Sequence, residues 1–136
     1  MFGDSVYLHD VHHDIIERVK QDAGLTVDVS NGQVVTSGFV VATEGYTKVV
    51  PDSEFFGESG KRIIAEYITR LHDVLTDNGN RLGVWHDKET NEVVFDVVES
   101  VYSRDEVMKL GIERNQKAVY DLTGETGDTL FITKSD

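Results

Sequence analysis

The fold is decided by the stretch RLGVWHDKETNEVVFDVVES, which spans residues 81–100. Residues 81–86 and 92–102 are rich in valine and aromatic side chains, which are typical of β-strands. The polar segment 87–91 lies between these two runs and predicts a turn. Strands joined by a short turn pair antiparallel, because the chain reverses direction between them. We therefore expect a β-hairpin over residues 81–102.

The second strand of this hairpin has two chemically different faces. Side chains along a strand point alternately to its two sides. One face therefore carries Val93, Phe95 and Val97. The other face carries Asp96 with a valine on either side, whereas Glu99 returns to the first face. We expect one face of the sheet to pack against helices and the other face to remain half polar.

Helices and further strands are predicted before and after the hairpin along the chain. Three segments have apolar residues at the helical period and predict amphipathic helices: 10–22, 59–75 and 103–115. Asn31-Gly32 lies between two β-prone runs, 25–30 and 33–42, and is a strong signal for a hairpin turn. Further short strands are predicted over residues 46–50, 116–122 and 130–133.

These elements predict an α+β fold. Hairpins give antiparallel pairing, and the apolar stripes of the helices need a sheet face to cover. We therefore expect a single domain with an antiparallel sheet built of hairpins and two or three helices packed on one face. Along the chain, residues 1–24 are assigned to an N-terminal helical segment and residues 25–136 to the α+β domain.

Four sequence signals mark the ends of these helices. Asp10 is suited to cap the first helix, and Gly24 is suited to end it in a left-handed conformation. Ser103 and Glu106 have the spacing of a capping box at the start of the third helix. Asn115 is suited to the left-handed position at its end. We expect each residue to satisfy backbone groups that the helix leaves unpaired.

The composition limits the classes of function. The chain has 136 residues, no cysteine, and 25 acidic against 13 basic residues, which gives a net charge of −12. This charge argues against binding of nucleic-acid phosphates or anionic membranes, both of which need clustered lysine and arginine. No apolar run approaches the length of a membrane span, and the first residues lack the pattern of a signal peptide. We therefore expect a cytoplasmic protein.

The segment 87–106 is the most acidic part of the chain, with seven acidic and two basic residues. An acidic edge of this kind favours a protein partner with a basic surface. The partner-binding residues predicted here are Asp87, Glu89, Glu92, Asp96 and Glu99. The acidity alternatively serves solubility alone. The exposed edges of an antiparallel sheet also permit a homodimer formed by strand addition.

The histidines suggest two weaker possibilities. His9 and His13 have helical spacing that suits a divalent metal, but the sequence marks no third ligand. His86, oriented by Asp96, would be a minimal general base, but no nucleophile motif accompanies it. A small hydrolase or metal-dependent enzyme using His86 and Asp96 is therefore the alternative hypothesis. The main expectation is a protein with no catalytic residues, no metal and no cofactor.

Three motifs resemble a family of small uncharacterised accessory proteins from phages of actinobacteria: GVWHD at 83–87, EVVFDVVE at 92–99 and ERNQKAVYDL at 113–122. The strand around Tyr46 and the long helix after it are similar too, so the resemblance covers residues 38–122. It implies a protein that acts in the host cytoplasm by binding a host or phage protein. Counter-defence is one version of this role, and nucleic-acid mimicry is a minor one.

Overall fold

The computed structural model describes residues 11–43, 45–77, 79–116, 118–122 and 128–131. These residues form an α+β fold with one antiparallel sheet, as the sequence predicts. The elements are, in chain order, α1 Val11–Asp22, β1 Gly24–Asp28, β2 Gln33–Val34, β3 Phe39–Ala42, β4 Lys48–Pro51, α2 Asp52–Phe55, α3 Gly60–Arg70, α4 His72–Leu75, β5 Asn80–Asp87, β6 Glu92–Val101, α5 Arg104–Glu113, β7 Ala118–Asp121 and β8 Asp128–Phe131. No helix among them is both long enough and apolar enough to cross a bilayer.

Strand β6 is the centre of the sheet. The strand order is β2-β1-β5-β6-β3-β7-β8, and β4 pairs with β6 outside this path. One edge of β6 pairs with β5, and the other edge pairs with β4 and then with β3. Ala42 lies opposite Val98, and Lys48 lies opposite Phe95. The residues between them, 43–47, therefore interrupt the ladder beside Asp96.

The three long helices cover one face of this sheet, as predicted. Val93, Phe95 and Val97 are fully buried on that face. They belong to one core with residues of α1 and α3: Ile15, Val19, Ile63, Ile64 and Tyr67. A second cluster lies under α5 and contains Val41, Val101, Val107 and Val119. Helix α1 is thus part of the same packed core as the sheet.

The predicted strand over residues 33–42 is divided into two. Its first part, β2, pairs with β1 at one side of the sheet, and its second part, β3, lies beyond β5 and β6. Residues 35–38, which we call the strap, connect the two parts across the sheet. Gly38 has φ +84°, a conformation that glycine adopts without strain. The sequence does not reveal this division, because the pairing of β3 with β6 joins segments that are far apart in the chain.

Two predicted helix boundaries differ from the observed ones. The left-handed residue after α1 is Ala23, with φ +65°, whereas Gly24 begins β1 and pairs with Trp85. The predicted helix 59–75 bends at Leu71, which separates α3 from α4. Residues 52–55, to which the sequence analysis assigns no helix or strand, form the short helix α2. The proposed cap Asp10 lies outside the described residues.

The serine cap and the left-handed residue at the two ends of α5 are confirmed, whereas the return hydrogen bond from the Ser103 N–H to the Glu106 side chain is not found within the described residues. Ser103 precedes this helix in an extended conformation, and its hydroxyl accepts a hydrogen bond from the backbone N–H of Glu106 at 3.3 Å. Asn115, just past the helix, has φ +56°. A serine cap satisfies a backbone donor that the first helical turn cannot pair internally.

Truncation of Leu75 to alanine tests the packing of α4. Leu75 is fully buried in the main core, so Leu75→Ala should lower the free energy of unfolding by about 2–5 kcal/mol. Leu71→Ala should cost less, because Leu71 is only partly buried. Urea denaturation of both variants measures the difference. Equal or negligible losses would contradict the packing described here.

Replacement of Ser103 tests the cap of α5. Ser103→Ala removes the acceptor for the Glu106 N–H and should lower the free energy of unfolding by about 0.5–2 kcal/mol. Ser103→Asp keeps an acceptor at this position and should retain most of the stability. Thermal or urea denaturation distinguishes the two variants, and similar losses in both would indicate that the hydroxyl does not cap the helix.

Candidate functional site

The face of the sheet that the long helices leave uncovered, which we call the open face, carries the candidate site. Its centre is a rung of three paired residues: Thr26 lies opposite Gly83, and Gly83 lies opposite Asp96. Thr26 is 8% exposed and Asp96 is 4% exposed, and these are the two buried polar residues of the described chain. Gly83 has no side chain, so between Thr26 and Asp96 the rung carries only backbone, against which a methyl group of Val98 packs.

The open face is concave. The rings of Trp85 on β5 and Tyr120 on β7 have centroids 6.0 Å apart, although β6 and β3 lie between these two strands. In a flat sheet three strand intervals span about 14 Å. The two side chains therefore lean toward each other over β6 and β3, and their rings narrow the space above this face.

The curled sheet and the strap enclose a cleft of about 630 Å³. Most of its lining is apolar and comes from four strands: Gly24, Val40, Ala42, Gly83, Val98 and Leu122. Trp85 and Tyr120 form its aromatic wall, and Val35 and Thr36 of the strap line it as well. Clefts of this volume, mostly apolar with a few polar groups, are typical of ligand sites.

Gly83 keeps the floor of the cleft open. A Cβ atom at this position would lie 3.1 Å from a methyl group of Val98 and 3.9 Å from the carbonyl oxygen of Asp96. A larger residue at this position would therefore displace the Val98 side chain. A glycine inside a strand often marks such a close approach, and this was the sequence signal for the cleft.

Asp96 is a buried carboxylate with an unusual protonation equilibrium. The hydroxyl of Thr47 donates a hydrogen bond to its Oδ1 at 2.8 Å, across the interruption between β3 and β4. Burial raises the pKa of Asp96 from the ordinary 3.8 to about 6, and the Thr47 hydrogen bond opposes part of this rise. Within the described chain, no donor is found for its second oxygen, so this oxygen is free to accept a hydrogen bond.

Two tyrosines lie near this carboxylate. The hydroxyl of Tyr67 donates to the carbonyl oxygen of Tyr46 at 2.8 Å. Burial and the charge of Asp96 raise the pKa of Tyr67, and burial with the charges of Asp96 and Asp87 raises the pKa of Tyr120. Both hydroxyls therefore keep their protons at neutral pH, and that of Tyr67 acts as a hydrogen-bond donor.

The predicted pairing of His86 with Asp96 is wrong. His86 lies opposite Val93 and points to the helix face, whereas Asp96 lies on the open face. The carboxylate that contacts His86 is Asp52, with 3.0 Å between Nε2 and Oδ2. The ring of Phe56 packs edge-on against the imidazole, at 5.1 Å between centroids. The sheet thus separates the two residues that the hydrolase hypothesis combines.

The structure does not gather the five predicted acidic residues on one surface. Glu89 is exposed in the turn, and Glu92 is half-buried at the end of the open face. Asp87 accepts backbone hydrogen bonds from Glu89 and Thr90 and thereby shapes the turn. Glu99 lies on the helix face and forms an ion pair with Arg114. Asp96 is 4% exposed, so its carboxylate is not part of an exposed acidic edge, and partner binding by the five residues stays a prediction.

Of the two histidines predicted to have a metal-binding spacing, one lies outside the described residues. His9 is not among them, and His13 is exposed on α1 with its ring 4.0 Å from Glu17. Within the described ranges, no group of three or more histidine, aspartate or glutamate side chains is arranged to hold a metal ion.

Comparison with protein-family models, with curated proteins and with solved structures finds no match for this chain.

Asp96→Asn tests the buried carboxylate. The folded protein holds the Asp96 proton more tightly than the unfolded chain, so this residue's contribution to stability falls as pH rises from about 4 to about 6. Asparagine removes the ionisable group and keeps an acceptor for Thr47. The variant should exceed wild type by up to about 3 kcal/mol in unfolding free energy at neutral pH. Urea denaturation at several pH values checks this, and a pH-independent difference would contradict it.

Proposed function

We propose that this chain is a non-enzymatic binding protein that holds a basic protein partner against the open face of its sheet. In keeping with the family resemblance, the proposal is a small accessory protein that acts in the cytoplasm of a phage host. The observation that carries the proposal is one uncovered apolar rung directly beside an acidic rung at the same end of the sheet.

The apolar rung consists of Val49, Val94 and Trp85, which lie side by side on β4, β6 and β5. Val49 is 47% exposed, and Val94 and Trp85 are half-buried. The next outward rung on the same face pairs Glu92 with Asp87. We call these five residues the front patch.

The front patch has the chemistry of a binding surface. Protein interfaces commonly combine an apolar centre, often with an aromatic residue, and a polar rim. Here a tryptophan and two valines form the centre, and two carboxylates form one side of the rim. Exposed apolar side chains gathered beside a cleft favour a partner more than isolated ones do.

The net charge of −12 supports a basic partner. A strongly charged surface accelerates the encounter with a partner of opposite charge and disfavours partners of like charge. The attraction should weaken with salt, because the screening length falls from about 10 Å at 0.1 M to about 3 Å at 1 M.

Nucleic-acid mimicry and hydrolysis, the two other functions considered for this chain, receive less support from the geometry. A nucleic-acid mimic needs a continuous row of carboxylates, but on β6 Asp96 is buried and Glu99 lies on the helix face. A hydrolase built on His86 and Asp96 needs both groups at one site, and the sheet lies between them.

Charge reversal tests the proposal. The bait is the tagged full chain in cells that produce it natively, with captured proteins quantified by mass spectrometry at low and high salt. Glu92→Lys reverses a carboxylate of the front patch, and Glu89→Lys reverses the exposed carboxylate in the adjoining turn. Together these changes should remove the specific partner. Glu58→Lys with Glu113→Lys changes the net charge equally at exposed positions away from the open face, and this control should retain capture.

Circular dichroism establishes that both double variants are folded. Equal capture by wild type, front variant and control would place the interface elsewhere on the molecule. Equal loss in both variants would show that only the total charge matters and would contradict a localised site.

A further inference from the structure

A second, smaller pocket lies beside the strap, at the end of the open face opposite to the front patch. Its lining is mostly polar and includes Asp28, Gln33, Thr36, Ser37, Arg81 and Ser100. Its volume is about 210 Å³. Ligand sites for drug-sized molecules occupy about 300–1,000 Å³, so this pocket suits a side chain or a similarly small molecule.

An arginine and an aspartate lie side by side in this pocket. Val27 pairs with Leu82, so the next residues, Asp28 and Arg81, are neighbours on the open face. Arg81 Nε lies 3.8 Å from Asp28 Oδ2, which is near enough for an ion pair but too long for a hydrogen bond. Within the described residues, Arg81 Nε is the one buried side-chain nitrogen or oxygen without a hydrogen-bond partner.

Other atoms of the chain hold both groups in place. Nη1 of Arg81 donates to the carbonyl oxygen of Asn80 at 2.7 Å. Oδ1 of Asp28 accepts from the backbone N–H of Ser30 at 3.0 Å and from its hydroxyl at 2.6 Å. The pocket therefore presents a fixed donor, Nε, next to a fixed acceptor, Oδ2. Burial of an unpaired donor is costly, so this arrangement needs a reason.

We infer that this pocket binds a primary carboxamide group. The amide oxygen accepts a hydrogen bond from Arg81 Nε, and the amide nitrogen donates one to Asp28 Oδ2. Small free amides and the side chains of asparagine and glutamine share this chemistry. The inference goes beyond the proposed function and does not depend on it, because no residue of the front patch lines this pocket.

The spacing of the two protein atoms fits an amide. The oxygen and nitrogen of a carboxamide lie about 2.3 Å apart, as its bond lengths require. Two hydrogen bonds of about 2.9 Å therefore reach atoms that are 3.8 Å apart with only slight divergence. A single oxygen atom, such as that of an alcohol, would make both hydrogen bonds at an angle of about 80°, well below the tetrahedral angle.

The charges of the pocket favour a neutral guest. A carboxylate or phosphate would bind Arg81 but would lie against the Asp28 carboxylate, in a chain with a net charge of −12. A cation would bind Asp28 but would lie against the guanidinium group. A carboxamide has one acceptor and two donors without a net charge, so it satisfies both groups.

Nuclear magnetic resonance provides a direct test, because the Nε–H of an arginine has its own signal in a nitrogen–proton correlation spectrum. The purified full chain is titrated with propionamide, propionate and N,N-dimethylpropionamide. Propionate has a similar shape with a negative charge, and the dimethyl amide lacks the N–H donor. Propionamide should shift the Arg81 Nε–H signal saturably and bind about tenfold or more tightly than either of the other two.

Three variants locate the binding site. Asp28→Asn keeps the acceptor for Ser30 but turns a donor toward the pocket, so it should bind propionate more tightly than propionamide. Arg81→Lys keeps the charge but removes Nε, and it should lose about tenfold in propionamide affinity, followed by the backbone signals of the strap. Asp73→Asn removes one charge from a fully exposed position on α4 and should leave the affinity unchanged.

Several outcomes would overturn the inference: no saturable shift, equal affinity for propionamide and its dimethyl derivative, or tighter binding of propionate by the wild type. Asp28→Asn that still prefers propionamide would overturn it too, since a merely structural role of Asp28 predicts no inversion. The correlation spectrum of each variant shows whether the fold is retained. The ligand series and Arg81→Lys keep the inference testable if Asp28→Asn does not fold.

A capped glycine–glutamine–glycine peptide distinguishes the two sources of the amide. Tighter binding of this peptide than of propionamide assigns the pocket to a side chain of a polypeptide. Binding of propionamide but not of the peptide assigns it to small free amides. Equal binding of the corresponding glutamate peptide would overturn the inference. These titrations need no partner protein, so their failure would leave the capture experiment of the proposed function unaffected.

Discussion

The structure depends on the two-sided pairing of β6. This strand is bonded to β5 along one edge and to β4 and β3 along the other, so both halves of the sheet join through it. Because the side chains of β6 alternate between the two faces of the sheet, this strand sets the chemical character of each face. Val93, Phe95 and Val97 anchor the helices on one side, and the removal of their apolar surface from water stabilises the fold. The opposite side is left with Asp96 among valines.

Asp96 shows that the open face is not simply a solvated surface. Its carboxylate is buried, it has one hydroxyl donor within the described chain, and its pKa is raised to about 6. A neutral side chain of similar shape would stabilise the fold more at neutral pH. Buried ionisable groups with raised pKa values concentrate at functional sites, although structural networks also produce them. Gly83, which pairs with Asp96, and Val98 line the uncovered cleft, so the buried carboxylate lies next to residues of the cleft lining.

The front patch and the cleft belong to one continuous surface. Trp85 takes part in both, because it lies in the apolar rung with Val94 and also forms the cleft wall with Tyr120. A partner seated on the front patch would therefore cover the mouth of the cleft. Carboxylates at the rim would speed association with a basic partner, and the apolar centre would slow its dissociation.

The sequence by itself determined the local elements and their faces. The hairpin β5–β6, the helix caps at Ser103 and Asn115 and the single covered face follow from periodicity and turn chemistry, which act between near neighbours. The tertiary structure decided which distant groups meet. It placed Asp52 beside His86, divided residues 33–42 to cross the sheet, and aligned Thr26, Gly83 and Asp96 in one rung. Register and curl set these contacts, and both arise from pairing between strands far apart in the chain, which no local pattern specifies.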